Sequence, residues 1–191
     1  MAKISIQPRT YLYPMPAVLV GALVNGKATY VTIAYCGIVQ RLPPMISVAS
    51  NKAHYTNIGI RENRTFSVNI ASEEMAQVTD YVGIYSGKTT DKSTLFENFF
   101  GTLKTAPMIQ ECPLNLECRL VQRVDVSGGN DIFIGEIVGV YAEEKYLTNG
   151  APDVNKIRPL IFSMPDNHYW KFGDCLGPAW SIGKSFQPGQ K

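Results

Sequence analysis

Two β-rich runs, VLVGALV and KATYVTIAY, meet at Asn25-Gly26, and that dipeptide does most to narrow the folds open to this chain. Asn and Gly suit the two positive-φ positions of a type I′ turn, whose twist matches that of paired antiparallel strands. The runs on either side are rich in Val, Thr and Tyr, which pack well on a pleated surface. Residues 18–35 therefore form a hairpin, and a chain that starts this way builds an antiparallel sheet.

Further strands follow the same logic. MISVAS, after Pro43-Pro44, is a third, and TFSVNI a fourth, with Phe66, Val68 and Ile70 alternating onto one face. LECRLVQRVDV and DIFIGEIVGVYAEE, linked through Ser127-Gly128-Gly129-Asn130, make a second, longer hairpin. Short strands are expected near Leu160 to Phe162 and Tyr169 to Phe172. Helices are few. One is capped by Ser72, with Glu73 and Glu74 in its first turn and Met75, Val78 and Val82 on one face, stopping near Gly83 to Gly87. A second is expected over TTDKSTLFENFFG, burying Leu95, Phe96, Phe99 and Phe100. A third, short one starts at Thr56-Asn57 and ends before Thr65. These elements imply one domain over residues 1–191, mainly β, a small barrel or sandwich with a few helices.

Several function classes drop out. Eighteen Lys+Arg against sixteen Asp+Glu leave a net charge of +2, and no run of five or six like charges offers a patch for nucleic acid. The apolar stretch Ala17 to Val24 is far shorter than the ~20 residues of a membrane span. The first residues, MAKISIQPRTYLYPMP, lack the apolar core of a secretory signal, so the expected location is cytoplasmic. Cys36, Cys112, Cys118 and Cys175 form no C-x-x-C, and with only His54 and His168 no zinc site is expected. The cysteines read as reduced, buried residues, with a Cys112–Cys118 redox pair as the alternative. G-x-G-x-x-G and P-loop patterns are absent, and no nucleophile motif supports a Ser-His-Asp or Cys-His hydrolase. Any hard chemistry then belongs to a cofactor. Charged residues make up 18% of the chain, below the roughly 25% of an average soluble domain, which points to surface covered by a partner subunit or a ligand.

The segment Ser47 to Ile70 carries the most chemistry. A strand ends at Ser50, and Asn51, Lys52, His54 and Thr56 then place donors and one cation directly before a short helix. Free N–H groups and the positive dipole end at a helix start attract an anion, and Lys52 and the Thr56 hydroxyl would add to that pull. Two readings stand: a phosphate seat, or an ordinary strand-to-helix loop capped by Thr56 with Lys52 in solvent.

The order of these motifs resembles a known family. Pro14-x-Pro16, a hairpin ending in ATYVTIAYCGIV, Pro43-Pro44, a strand, the S-x-K-x-H-x-T loop and FSVN at Phe66 to Asn69 are similar to the flavin reductase-like, FMN-binding split-barrel proteins, most nearly their flavoredoxin branch. LECRLVQR and HYWKFGDCLG extend the likeness over most of the chain. The resemblance implies a six-stranded Greek-key barrel that forms a homodimer and holds FMN non-covalently near the interface, exchanging electrons with NAD(P)H or a redox partner protein. It places Thr29, Tyr30, Thr32, Ala34 and Cys36 along the flavin, and Ser50, Asn51, Lys52, His54 and Thr56 at its phosphate and ring edge. Ala34-Tyr35-Cys36 and Gln40-Arg41-Leu42 depart from the pattern of NAD(P)H:flavin oxidoreductases and favour an electron carrier. A dedicated flavin reductase and a flavin-free β-barrel binding module remain the alternatives.

Overall fold

The computed structural model describes residues 1–189. Seven strands build one antiparallel sheet: β1 (Val18–Val24), β2 (Lys27–Ile33), β3 (Cys36–Gln40), β4 (Met45–Asn51), β5 (Thr65–Ile70), β6 (Leu114–Asp125) and β7 (Asn130–Tyr141), in the order β2-β1-β5-β6-β7-β4-β3. The β1–β2 turn has the expected positive φ at both Asn25 (51°) and Gly26 (76°), and the ladder runs without a slip from Val24↔Lys27 to Val18↔Ile33.

Val18, Val20 and Ala22 of β1 share one core with Val31 and Ile33 of β2, Ile46 and Val48 of β4, Phe66 and Val68 of β5, and Phe133 of β7. Residues from one edge strand and from the neighbour of the other thus converge on a single core, which requires a strongly curled sheet. The mainly β expectation is met. The sheet has seven strands where the resemblance implies six, and among the described residues no ladder joins its edges β2 and β3.

The opposite face of the β1–β2 hairpin is covered as well. Leu19 and Tyr30 pack there with Ala71, Val82, Phe96, Ile109 and Cys112. Burial on both faces explains why VLVGALV is apolar throughout instead of alternating. Helix α1 (Thr56–Asn63) lies on β1 so closely that a Cβ at Gly59 would sit 2.1 Å from the Leu23 carbonyl oxygen, so glycine is needed there. Helix α2 (Ala76–Ile84) supplies Val82, with Met75 and Val78 packed beside it. A separate three-stranded sheet joins Met15–Pro16, Ile161–Ser163 and His168–Trp170. No helix among the described residues is long and apolar enough to cross a membrane.

Three expectations need correction. Residues 89–101 are not helical; they form turns and a two-residue strand, Asn98–Phe99, paired with Met108–Ile109. The Asp91 carboxylate accepts from the Ser93 N–H (2.9 Å), the Ser93 hydroxyl (2.6 Å) and Lys27 (2.7 Å). Such local side-chain bonds compete with helix formation, while Phe96 still reaches the core. Ser72 flanks a 3-10 turn (Glu73–Met75) that leads into α2, but its side chain caps nothing. Cys112 and Cys118 lie in different cores and all four cysteines are free, so the redox pair is excluded in this fold.

Candidate functional site

The loop from β4 into α1 is organised by an amide. Asn57 donates from its side chain to the Asn51 carbonyl (2.8 Å), so its own carbonyl oxygen is left to accept from the Ser50 hydroxyl (2.7 Å). Ser50 has thereby given up its one proton, and its contact with His54 Nδ1 (2.9 Å) must be accepted from the ring. This network assigns the Nδ1–H tautomer and leaves Nε2 open. Burial, with a smaller contribution from the Lys92 charge, lowers the His54 pKa from its ordinary value and favours the neutral ring.

Around this loop lie two adjoining cavities, of 360 and 260 Å³, that share Tyr55, Gly87 and Lys92. Thr29 lines the first, and Tyr30, His54 and Thr56 line the second. Lys92 stands between them, buried, donating to the carbonyls of Tyr30 (3.0 Å) and Val82 (2.8 Å). Its third N–H has no protein acceptor among the described residues, and burial pushes its pKa down to about 8. The Thr29 hydroxyl is buried and likewise unpaired among the described residues. A buried polar group without a partner costs roughly 1–3 kcal/mol, so both groups fit a ligand that offers oxygen or nitrogen acceptors.

The ten residues expected at the site are therefore not all in one place. Thr29, Tyr30, His54 and Thr56 line the cleft, with Ser50 behind His54. Tyr30 presents its backbone there, since its ring is buried and its hydroxyl bonds Asn98. Thr56 is the first residue of α1 and caps nothing; Tyr55 occupies the cap position. Asn51 and Lys52 turn the other way, Asn51 accepting from the Ala53 N–H (2.9 Å) and Lys52 pairing with Asp125 (2.7 Å) beside the β6–β7 turn. Thr32 donates to the Thr79 carbonyl (2.5 Å). Ala34 and Cys36 line a separate opening of 640 Å³ with Tyr11, Leu12 and Tyr35. Burial holds the Cys36 thiol up at about 12, so it is protonated at neutral pH.

Lys92 and Asn57 were missed from sequence. Lys92 sat inside a stretch read as helix, and its inward turn is visible only once Asp91 and Ser93 are seen to break that helix. His168 is exposed at the start of the strand His168–Trp170, 3.3 Å from Asp166, Tyr169 donates to Asp80 (3.0 Å), and Trp170 donates to the Ser163 hydroxyl (2.7 Å). Among the described residues no group of three His, Cys, Asp or Glu side chains could hold a metal ion.

A sequence model described as a flavin reductase like domain matches residues 10–164. The chain belongs to the flavin reductase-like domain family. Two solved members are similar over nearly their whole length. Flavoredoxin from Methanosarcina acetivorans is 50% identical, with a TM-score of 0.94 over 97% of this chain and 99% of the other. Flavoredoxin of Desulfovibrio vulgaris (Miyazaki F) is 35% identical, with a TM-score of 0.89 over 95% of this chain and 100% of the other. An uncharacterised protein from Archaeoglobus fulgidus is 31% identical over 76% of this chain and 81% of its own length. The motif order that first suggested the family, from Pro14 to Asn69, lies wholly inside the matched residues. Flavin is thus the ligand class against which the donor-lined cleft is to be read.

Proposed function

We propose that this protein is a flavoredoxin-like electron carrier that binds FMN in the cleft between β2, α1 and the loop after α2. The observation that carries the reading is Lys92, a buried cation with one N–H that has no acceptor among the described residues, standing with the Thr29 hydroxyl, likewise unpaired among them, in a cleft of a flavin reductase-like chain. Flavin ring carbonyls and a phosphomonoester are the kinds of acceptor these groups need.

Bound FMN would supply reversible acceptance of a hydride or of single electrons. The protein's share is binding, orientation and electrostatics. Lys92 would donate to flavin oxygen or nitrogen and favour negative charge there. Thr29 and Thr56 would add neutral donors, and His54, fixed through Ser50, would present Nε2. Val31, Val82 and Tyr85 would shield the ligand from water. Lys52 would reach a phosphate only by exchanging its bond to Asp125. We read the open curled sheet as the split barrel of flavin-binding relatives, working as a cytoplasmic homodimer.

Absorption of the purified protein tests the reading directly: bands near the visible flavin maxima, with FMN released on denaturation, are expected. A colourless protein that takes up no added FMN overturns it in favour of a flavin-free module. Anaerobic mixing then separates the two flavin functions. Bleaching by a reduced iron–sulfur carrier and not by NADH or NADPH is expected, and rapid bleaching by either nucleotide would make the protein a flavin reductase.

A further inference from the structure

Two arms leave the body of the molecule. Residues 1–12 are exposed throughout, as are residues 171–189 except Gly177. The backbone hydrogen bonds of the C-terminal arm are confined to its own turns, such as Ile182 N–H to the Pro178 carbonyl and Phe186 N–H to the Gly183 carbonyl. Yet this arm carries large apolar groups. Leu176 is 92% exposed and Trp180 95%, with Ile182 and Phe186 also in solvent. Soluble monomers rarely display such groups together. Trp180 also has φ +58°, a backbone state uncommon for a bulky residue and kept only where surroundings hold it; within one chain the arm has no such surroundings.

Surface area points the same way. The chain exposes 11987 Å², whereas a compact monomer of 21.1 kDa is expected to expose about 9,000 Å². The surplus of roughly 3,000 Å² exceeds the ~800 Å² that each partner gives to a standard interface. The superposition on the Methanosarcina acetivorans flavoredoxin covers 97% of this chain, so the arm cannot lie wholly outside it. The body offers apolar surface of its own at the sheet edge, where Ile38, Val39 and Leu42 are exposed on the β3–β4 hairpin, an edge that a monomer would normally blunt.

We propose that Lys171–Phe186 is exchanged between two copies of this chain, each arm lying on the body of the other around a two-fold axis. Exchange makes the contact isologous and closed, so it ends at two copies. Trp180 and Leu176 are its anchors, as large apolar groups commonly are at interface centres. The proposal rests on the two-copy part of the functional reading and is independent of flavin.

Sedimentation velocity of the full chain and of Leu176→Ser/Trp180→Ser tests it. A dimer is expected for the first, and self-association weakened at least tenfold, with unchanged circular dichroism, for the second. The Trp170→Phe chain keeps Trp180 as its single tryptophan, and its emission should be blue-shifted in the dimer and move red on dilution through dissociation. A monomer at every concentration overturns both the exchange and the two-copy reading. A dimer equally tight in the double variant, or Trp180 emission that stays red in the dimer, overturns the exchange alone. Flavin content read on the same samples separates the claims, because a colourless dimer with a blue-shifted Trp180 upholds the exchange while sinking the flavin reading.

Discussion

Lys92 reaches back across the sheet edge to Tyr30, donating a 3.0 Å hydrogen bond to its carbonyl. The bond ties the loop after α2 to the strand that lines the cleft and holds a cation where water is scarce. Lys92→Met keeps the stem and removes the charge, so FMN affinity should fall at least tenfold by fluorescence titration while the fold persists. Unchanged affinity would remove Lys92 from the site.

The same residue carries a pH signature in the flavin-free protein. Its folded pKa of about 8 lies below the ordinary 10.5, so between those values the unfolded chain binds more protons and stability rises with pH. The rise attributable to Lys92 amounts to about 3 kcal/mol at full span. Tyrosines and thiols titrate in the same range, so the measurement is the difference between wild type and Lys92→Met in urea midpoints from pH 7.5 to 10.5. A difference that stays flat would mean that Lys92 is not desolvated.

Ser50 fixes the proton of His54. Nitrogen-15 NMR at pH 7 should find His54 neutral with its proton on Nδ1, titrating below 6.5 because burial disfavours the charged ring. As pH falls below 6.5 the unfolded chain protonates first, so the residue's contribution to stability is lost toward its folded pKa. In Ser50→Ala the Nδ1 acceptor is gone, and the tautomer signal should become mixed.

Lys52 and Asp125 give a test of opposite signs. Their side chains are substantially exposed, so breaking the pair should leave the urea unfolding midpoint nearly unchanged. If Lys52 serves the phosphate, Lys52→Ala weakens FMN binding and Asp125→Asn strengthens it by releasing the ammonium. Two variants with unaltered affinity would leave Lys52 as a strut for the β6–β7 turn.

What was legible in the sequence follows from how local its cause is. The β1–β2 hairpin was readable because Asn25-Gly26 specifies its own turn, and the β6–β7 hairpin because alternation and a Gly pair coincide. Residues 89–101 misled because Leu95, Phe96, Phe99 and Phe100 have helical spacing, while the deciding contacts, Asp91 to Lys27 and Lys92 to Tyr30 and Val82, span 10 to 64 positions. The site divided in the same way. His54 and Thr56 were found because they lie in a run of donors and Thr29 only through the family resemblance, but the opposite facing of Lys52 depends on Asp125, 73 residues away. Gly59 gave no sign that a whole helix leans on it.

TFSVNI shows a further long-range effect, since its polar face is as buried as its apolar one: Ser67 and Asn69 are fully covered. The Asn69 amide donates to the Leu19 carbonyl (2.8 Å) and the Ser67 hydroxyl (2.9 Å), and its oxygen accepts from the Ile109 N–H (3.1 Å) and the Asn115 side chain (2.8 Å). One side chain thereby joins β1, β5 and β6 to the strand at Met108–Ile109. Asn69→Leu is close in size but leaves the Ile109 N–H without its acceptor and an Asn115 donor short of a partner. Each orphaned group costs roughly 1–3 kcal/mol, so the variant should lose about 2–5 kcal/mol in urea unfolding, whereas Ser47→Ala, at an exposed hydroxyl on β4, should lose less than about 1 kcal/mol. Equal losses in the two variants would show that the Asn69 network adds no more than a surface contact.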